Sequence, residues 1–146
     1  MDKPIIQLKY ITKKYFEGKE NELEILHGIN LEIYDGELIA IVGESGSGKS
    51  TLMNIIGALD RPTSGEYYLN DVNVLLANDN ELSKIRNKEL GFVFQTFNLI
   101  GRMNSYKNIE LPMIYAGIEK KKRDIRVNEL LEKVEMSSRS DHQPNE

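Results

Sequence analysis

A chain of 146 residues is long enough for one compact domain. Its 40% hydrophobic and 29% charged residues are typical of a soluble globular protein rather than of a disordered one. The net charge of -4 argues against a general attraction to nucleic acid, and the basic run at residues 120–123 is more typical of a solvated helix face. Because cysteine is absent, disulfides, thiolate metal sites and cysteine nucleophiles are excluded.

No segment has the length or composition of a membrane-spanning helix or a signal peptide. The longest apolar run is residues 38–42, far shorter than the roughly 20 residues that cross a bilayer. The N-terminal stretch is interrupted by Gln7, Lys9, Lys13 and Lys14, which argues against a signal peptide. We therefore expect any association with a membrane to occur through a partner protein.

Two alternating stretches predict strands near the N-terminus. Residues 6–10 and residues 29–34 each alternate apolar and polar side chains, which is the period of a half-buried strand. Asp35 and Gly36 are typical of a turn after the second strand. These features favour an antiparallel sheet in the first part of the chain.

The next segment predicts a different kind of strand, followed by a helix. Residues 37–42 (ELIAIV) do not alternate, which indicates a strand covered on both faces, as in the parallel sheet of an α/β domain. After a glycine-rich loop, apolar residues recur at helical spacing and predict a helix over residues 49–59 that packs on this sheet. These apolar residues are Leu52, Ile55, Ile56 and Leu59.

Further short elements are predicted in the middle of the chain. Residues 61–74 indicate a loop and two short strands joined by an Asn70-Asp71 turn. Residues 78–88 begin with a capping residue and carry apolar side chains on one face, so they predict a short helix. Residues 90–94 (LGFVF) predict a second buried strand.

The last part of the chain is predicted to be helical. Asn104 or Ser105 caps a helix that runs through Tyr115 and is disturbed at Pro112. A second helix carries an apolar stripe, which is more typical of packing within the domain than of a membrane-binding face. The stripe comprises Val127, Leu130, Leu131 and Val134.

The glycine-rich loop between the predicted strand and helix indicates phosphate binding. GESGSGKS fits the pattern G-x-x-x-x-G-K-[ST], in which glycines let backbone N–H groups converge on phosphate oxygens at a helix N-terminus. Lys49 adds a full positive charge near the β- and γ-phosphates, and the Ser50 hydroxyl can ligate Mg²⁺. We predict a nucleoside triphosphate site formed by the consecutive residues Gly43, Glu44, Ser45, Gly46, Ser47, Gly48, Lys49 and Ser50, to which the family resemblance described below adds Thr51.

Nucleotide kinases, GTPases, helicases and transporter ATPases all contain such a loop, so the loop alone does not distinguish them. Three flanking stretches do: ITKKY before the loop, GALDRPTSGEYYLND after its helix, and LGFVFQTFNLI farther along. Together they resemble the ATP-binding subunit of ABC transporters, from Ile6 to the last residue of the chain. LDRPTSGE and GFVFQTFNL are most similar to the branch that serves lipoprotein release, macrolide export and peptide-antibiotic efflux.

This resemblance implies an α/β fold of the P-loop NTPase (RecA-like) class. It implies one nucleotide-binding domain over residues 1–146, with an N-terminal antiparallel β-subdomain. The β-subdomain and the P-loop core through the Q-loop would occupy about residues 1–100, and the start of a helical subdomain about residues 101–146. We expect the chain to be the truncated, N-terminal part of such a domain.

The resemblance also implies roles for two residues outside the loop. Tyr15 matches the aromatic residue that stacks on adenine; the alternative is a tyrosine in the core of the first sheet, with Tyr10 and Phe16 as competing aromatic residues. Gln95 matches the Q-loop glutamine, which approaches Mg²⁺ and the attacking water; the alternative is an ordinary strand end. Ser50 and Gln95 are therefore the implied metal contacts.

Several family motifs needed for hydrolysis do not occur in this sequence. It contains no LSGGQ signature, no apolar strand that ends in aspartate and glutamate, and no later switch histidine. The nearest match, VLLAND at residues 74–79, has Asn78 in place of the aspartate and precedes Gln95, so it predicts a hairpin end and a helix cap. His27 precedes the phosphate loop, and His142 lies in DHQPNE, which resembles the approach to the signature. We expect no catalytic residue here, and a fragment or truncated gene product.

The resemblance implies the nucleotide-binding subunit of a membrane exporter that uses ATP and Mg²⁺. Its expected partners are a transmembrane permease subunit, met by residues 97–99, and a second nucleotide-binding subunit, but no nucleic acid. The expected location is cytoplasmic, peripheral on the inner face of the cell membrane. The main alternative is a truncated module that binds nucleotide without hydrolysing it; a soluble ABC ATPase of ribosomes or DNA is less favoured, because tandem cassettes or a coiled coil would be expected. For the isolated chain we expect weak ATP binding, background hydrolysis and an unpaired edge at residues 38–42 or 90–94.

Overall fold

The computed structural model describes residues 3–146, in which the residues up to Arg86 form one compact unit and Asn87–Glu146 form a second. Short 3-10 turns occupy Val74–Leu76 and Ser137–Arg139. The strands and helices follow in chain order as β1 (Ile6–Tyr15), β2 (Leu23–Ile33), α1 (Lys49–Ile56), β3 (Ser64–Leu69), β4 (Val72–Asn73), α2 (Asp79–Lys88), α3 (Ser105–Tyr115) and α4 (Lys120–Lys133).

A four-stranded antiparallel sheet, in the order β2-β1-β3-β4, forms the core of the first unit. Leu8 of β1 pairs with Leu31 of β2 on one side and with Tyr67 of β3 on the other. The Tyr67 hydroxyl donates a 2.5 Å hydrogen bond to the carbonyl oxygen of Ile56, which fastens the end of α1 to the sheet. Burial raises the pKa of this hydroxyl to about 12. The prediction of an antiparallel sheet is confirmed.

A bulge in β1 changes which side chains face the core. The ladder to β2 shifts register between Leu8 and Ile11, and Tyr10 adopts a left-handed φ of 51°. Gly65 of β3 has a φ of 106°, and a Cβ at this position would stand 2.6 Å from the carbonyl oxygen of Lys9. The predicted alternation therefore fails at Tyr10, which is 73% exposed, because the bulge gives the core position to Ile11.

The two segments predicted as buried strands, residues 37–42 and residues 90–94, do not form strands. The turn before the first of them is present, with a φ of 79° at Gly36. Leu38 and Val93 are nevertheless fully exposed. The prediction was wrong because a strand covered on both faces needs parallel neighbours, whereas β1 to β4 pair only with one another. The predicted unpaired edge is therefore replaced by exposed apolar chain without β-structure.

The hairpin of β3 and β4 forms as predicted. Asn70 and Asp71 both adopt left-handed φ angles, 48° and 64°, which suit the tight turn between two antiparallel strands. The chain then continues through the 3-10 turn into the cap of α2. The interpretation of VLLAND as a hairpin end and a helix cap is confirmed.

The two helices of the first unit differ in how well their ends were predicted. The Asn78 side chain accepts N–H hydrogen bonds from Asn80 and Glu81, and the Glu81 carboxylate accepts the Asn78 N–H in return. This reciprocal capping box confirms the predicted start of α2. Helix α1 ends at Ile56, earlier than predicted, and Ala58 just beyond it turns to a left-handed φ of 52°.

Two packed helices, α3 and α4, form the second unit and confirm its predicted helical character. Asn104 rather than Ser105 caps α3, since its side chain accepts the Lys107 N–H at 2.8 Å. The helix continues through Pro112 to Tyr115.

The apolar stripe of α4 is partly confirmed. Val127 and Leu131 are buried, and Leu130 is half-buried. Val134 lies at the C-terminal cap of α4 and is exposed, so it does not extend the buried face. Among residues 3–146, no helix combines the length and the apolar character needed to cross a bilayer.

Candidate functional site

The predicted phosphate loop is a largely exposed segment that leads directly into α1. Its lysine, Lys49, is folded back onto the loop. The ammonium donates hydrogen bonds to the carbonyl oxygens of Gly43 at 2.9 Å and Glu44 at 2.5 Å, and it lies 3.4 Å from the Ser47 hydroxyl. The full positive charge of Lys49 is therefore held by the backbone of its own loop.

Two glycines of the loop lie close to neighbouring side chains. Gly48 has a φ of 90°, and a Cβ there would stand 3.0 Å from side-chain carbons of both Ile25 and Leu26 in β2. A Cβ on Gly43 would stand 2.8 Å from the Ser47 hydroxyl oxygen. A Cβ at Gly48 would press on β2 and would strain the left-handed backbone, whereas a Cβ at Gly43 would displace only the Ser47 hydroxyl, so the steric reason for glycine is strong at Gly48 alone.

Helix α1 begins without a side-chain cap. Its N-cap residue is Gly48, no side chain in the described part of the molecule accepts a hydrogen bond at this cap, and the first turn carries no acidic residue. Such an N-terminus presents backbone N–H groups and a partial positive charge. The Ser50 hydroxyl lies in this first turn and is exposed. The arrangement suits a phosphate group with an oxygen ligand for a hard cation beside it.

Tyr15 ends β1 on the same unit and is 38% exposed. Its exposure does not agree with the alternative of a core tyrosine, and the competing residues Tyr10 and Phe16 are more exposed still. The Lys13 ammonium lies 5.2 Å from the centroid of the Tyr15 ring. Stacking on adenine stays a prediction for this residue.

Strand β2 connects the surroundings of Tyr15 to the phosphate loop. Tyr15 pairs with Leu23, and Leu26 of the same strand borders Gly48. Three strand residues span about 10 Å. The two β2 residues that border Tyr15 and Gly48, Leu23 and Leu26, therefore lie about 10 Å apart along the strand.

Gln95 is exposed at a bend in the second unit. The alternative that it ends an ordinary strand does not hold, because residues 90–94 form no strand. Gln95 and the phosphate loop belong to different units, so joint metal ligation by Ser50 and Gln95 stays a prediction.

The histidine and carboxylate side chains of the described residues were compared with the requirements of a metal centre. Within residues 3–146, no group of three or more histidine, cysteine, aspartate or glutamate residues is placed to hold a metal ion. The ring of His27 lies 3.6 Å from the Glu24 carboxylate, and His142 accepts the Ser105 N–H through its backbone carbonyl.

Asn108 of α3 belongs to none of the predicted motifs, yet its amide holds the segment before the helix. Its oxygen accepts the Ile100 N–H at 2.8 Å, and its nitrogen donates to the carbonyl oxygens of Ile100, Met103 and Asn104 at 3.3, 3.0 and 3.1 Å. The segment follows directly on residues 97–99. The sequence signal for such a contact is an asparagine in the first turns of a helix, because its short amide can bond to nearby backbone groups.

A buried carboxylate, Glu110, links α3 to α4. It is 2% exposed and accepts hydrogen bonds from Lys107 and from Arg123 of α4, both at 3.0 Å. These two hydrogen bonds hold the pKa of Glu110 below its ordinary value. Tyr106 donates a hydrogen bond to Asp124, which raises the pKa of Tyr106 to about 12. Each polar group of this network has a partner, so its role is to hold the two helices together.

Comparisons with known proteins identify the family of the chain. The family described as ABC transporter matches residues 26–146. The uncharacterized ABC transporter ATP-binding protein YknY of Bacillus subtilis is 53% identical over 142 residues, which are 97% of this chain and 61% of that protein. The macrolide export ATP-binding/permease protein MacB of Escherichia coli is 43% identical over 141 residues, 97% of this chain and 22% of MacB.

A solved structure has the same fold. The dimeric, post-hydrolysis structure of the ATP-binding cassette MJ0796, bound to ADP and phosphate, superposes with a TM-score of 0.86 and is 42% identical. The match covers 96% of this chain and 62% of that one. The chain therefore spans about three fifths of the length of YknY and MJ0796.

Together, the fold and the phosphate loop define an α/β nucleotide-binding domain of the ATP-binding cassette class. The chain belongs to the ABC transporter family. The resemblance drawn from the motifs that flank the loop is thereby confirmed.

Proposed function

We propose that this chain binds ATP as part of the nucleotide-binding subunit of an ABC-type exporter. The observation that carries the proposal is the phosphate loop. Its Lys49 ammonium bonds to the carbonyl oxygens of Gly43 and Glu44, and the loop leads into the start of α1, which has no side-chain cap. A loop of this form in an ABC transporter family member presents N–H groups, a helix N-terminus and one ammonium to the same anion.

Each residue of the site has a task in this binding. Residues 43–51 surround the phosphates, and Lys49 exchanges its bonds to Gly43 and Glu44 for bonds to phosphate oxygens. The adenine ring stacks on Tyr15, whose exposed ring accepts any flat aromatic base. Both ends of the nucleotide are then held by the first unit.

Mg²⁺ suits the oxygen donors at this site. The exposed Ser50 hydroxyl lies beside the proposed phosphate position, and the amide oxygen of Gln95 is the second protein ligand that we propose. When bound, Mg²⁺ supplies charge that neutralises the phosphate oxygens. Ser50 would hold the ion through its hydroxyl oxygen, a hard donor of the kind that Mg²⁺ prefers.

The proposed partners are a transmembrane permease subunit and a second nucleotide-binding subunit, at the inner face of the membrane. Phe97 is 85% exposed and Leu99 is 51% exposed, which leaves an apolar segment available to a permease. Similar proteins support both partners, since MacB is named an ATP-binding/permease protein and the MJ0796 cassette is dimeric. Hydrolysis is assigned to the whole transporter, because this sequence contains no LSGGQ signature and no apolar strand followed by glutamate.

Calorimetric titration of the protein with Mg·ATP tests the proposal. Lys49→Ala should weaken ATP binding about ten- to hundredfold, because it removes the charge-assisted hydrogen bonds to phosphate. Lys84→Ala, which removes an exposed lysine of α2, is the matched control and should bind ATP as the unmodified protein does. Equal affinities of Lys49→Ala and Lys84→Ala for ATP would refute the proposed site.

A further inference from the structure

Lys13 joins the ring of Tyr15 to the chain that follows α1. Its ammonium donates hydrogen bonds to the Asp60 carboxylate at 2.8 Å and to the Arg61 carbonyl oxygen at 2.7 Å. The same ammonium stands 5.2 Å from the centroid of the Tyr15 ring. The Lys13 side chain is only 12% exposed, so the charge is held in one place instead of moving in solvent.

Asp60, the anchor of Lys13, is itself fixed. Its N–H donates to the carbonyl oxygen of Asn54 in α1 at 3.2 Å, and its carboxylate also accepts the Arg61 N–H at 2.8 Å. Asp60 follows the helix that begins at the phosphate loop. A continuous path of bonded groups therefore runs from the phosphate loop through α1 and Asp60 to Lys13.

The neighbouring lysine has different contacts and serves as an internal comparison. Lys14 forms ion pairs with Glu22 at 3.0 Å and with Glu24 at 3.9 Å. In the described part of the chain, the Lys14 ammonium does not lie over an aromatic ring. The pairing of β1 with β2 shifts register between Lys13 and Lys14, and the two ammonium groups bond to different parts of the chain. The two positions carry the same charge but only Lys13 reaches the ring of Tyr15.

We propose that Lys13 is a positioning residue for the nucleotide base, an inference that rests on the proposed ATP site. The ammonium covers one face of the Tyr15 ring and leaves the other face to adenine. Attraction between the cation and the ring fixes the orientation of Tyr15, and the bonds to Asp60 and Arg61 fix the cation. The stacking surface is thereby held in a constant relation to the phosphate loop, so that less ordering remains to be done when ATP binds.

The readout that isolates this role is the preference for a ligand with a base. The affinity for Mg·ATP is divided by the affinity for inorganic tripolyphosphate, which has the phosphates but no adenine. Lys13→Met, which keeps much of the side-chain bulk and removes the charge, should lower this ratio about three- to tenfold. Its affinity for tripolyphosphate should stay that of the unmodified protein. Lys13→Arg should restore the ratio, because a guanidinium also bonds a carboxylate and stacks on an aromatic ring.

Lys14→Met is the matched control for the loss of one positive charge, and its ratio should equal that of the unmodified protein. An unchanged ratio in Lys13→Met, or an equal loss for ATP and tripolyphosphate, would overturn the inference while the ATP site stands. If Tyr15→Ala also leaves the ratio unchanged, Tyr15 is not the platform and the inference falls with it. If the unmodified protein binds neither ATP nor tripolyphosphate, the proposed function is wrong, and the inference that rests on it is wrong as well.

Discussion

The ammonium nitrogen of Lys49 lies 2.9 Å from the carbonyl oxygen of Gly43, so the Lys49 side chain bridges the beginning and the end of the phosphate loop. A phosphate group that binds this ammonium must draw it away from Gly43 and from Glu44. The free energy of nucleotide binding is therefore a difference between two sets of charge-assisted hydrogen bonds. The left-handed backbone angles of Gly46 and Gly48 shape the bend of the loop, so we expect them to influence affinity.

The first prediction concerns two loop glycines with similar backbone angles. Gly48 and Gly46 have φ of 90° and 82°, but a Cβ on Gly48 would press on Ile25 and Leu26 whereas a Cβ on Gly46 meets nothing within 4 Å. Alanine at either position costs about 1–2 kcal/mol for the left-handed angle. Gly48→Ala should cost about 1 kcal/mol more than Gly46→Ala, because it also disturbs the contact between the loop and β2.

Denaturant unfolding and ATP titration of the two variants measure this difference. Gly48→Ala should lose more ATP affinity than Gly46→Ala, because the shift of its backbone moves the start of α1. Equal losses of stability in both variants would mean that β2 does not constrain the loop.

Much of the local structure could be predicted because short-range chemistry determines it. The capping box of Asn78 and Glu81, the turn at Asn70 and Asp71, and the phosphate loop depend on residues a few positions apart. Their side chains satisfy neighbouring backbone groups in any context. The phosphate-binding role of the loop residues rests on the same kind of local pattern, of glycine, lysine and serine, and stays a prediction.

Features that depend on distant partners could not be predicted in this way. The segment around Leu38 has the apolar composition of a buried strand, but composition does not specify which strands lie beside it. The bulge at Tyr10 depends on Gly65 in another strand. Lys13 could be read only as one of two adjacent lysines, since Asp60 comes 47 residues later. Contacts between residues that are far apart in the sequence are therefore the features that could not be predicted from it.

The second prediction concerns the buried carboxylate of the helical unit. Glu110→Gln removes the negative charge between Lys107 and Arg123, and the Arg123 side chain is only 18% exposed. The variant should be less stable by about 3 kcal/mol, because a buried guanidinium is left without its anion. Glu129→Gln, which removes an exposed partner of Arg126, is the control and should change stability by less than about 1 kcal/mol. Urea unfolding, followed by the circular dichroism signal of the helices, measures the free energy of unfolding of both variants.

The same carboxylate predicts how stability depends on pH. Hydrogen bonds from Lys107 and Arg123 lower the pKa of Glu110 from its ordinary 4.5. A carboxyl group with a lower pKa in the folded chain contributes stability that is complete above the unfolded pKa and is lost as the pH falls through the folded one. The stability difference between the unmodified protein and Glu110→Gln should therefore be constant near neutral pH and shrink as the pH falls below about 4.5. A difference that grows on acidification would contradict this assignment.

The third prediction concerns Asn108 and the segment that it holds. Asn108→Ala removes the acceptor of the Ile100 N–H and the donor to three carbonyl oxygens. The amides of residues 100–104 should then exchange with solvent about tenfold faster, since the lost bonds are worth roughly 1–2 kcal/mol. Hydrogen exchange followed by mass spectrometry of this segment gives the measurement.

Asn128→Ala, which removes a single hydrogen bond to the Asp124 carbonyl oxygen, is the control and should leave exchange in residues 100–104 unchanged. Asn108→Asp separates the two halves of the amide, because it keeps an acceptor for Ile100 but turns a carboxylate toward carbonyl oxygens. It should protect the segment no better than alanine does, and full protection in this variant would mean that the acceptor alone suffices. The exposed Phe97 and Leu99 lie immediately before residues 100–104. In Asn108→Ala, we therefore expect faster exchange also at residues 97–99, the apolar segment that we assign to the permease contact.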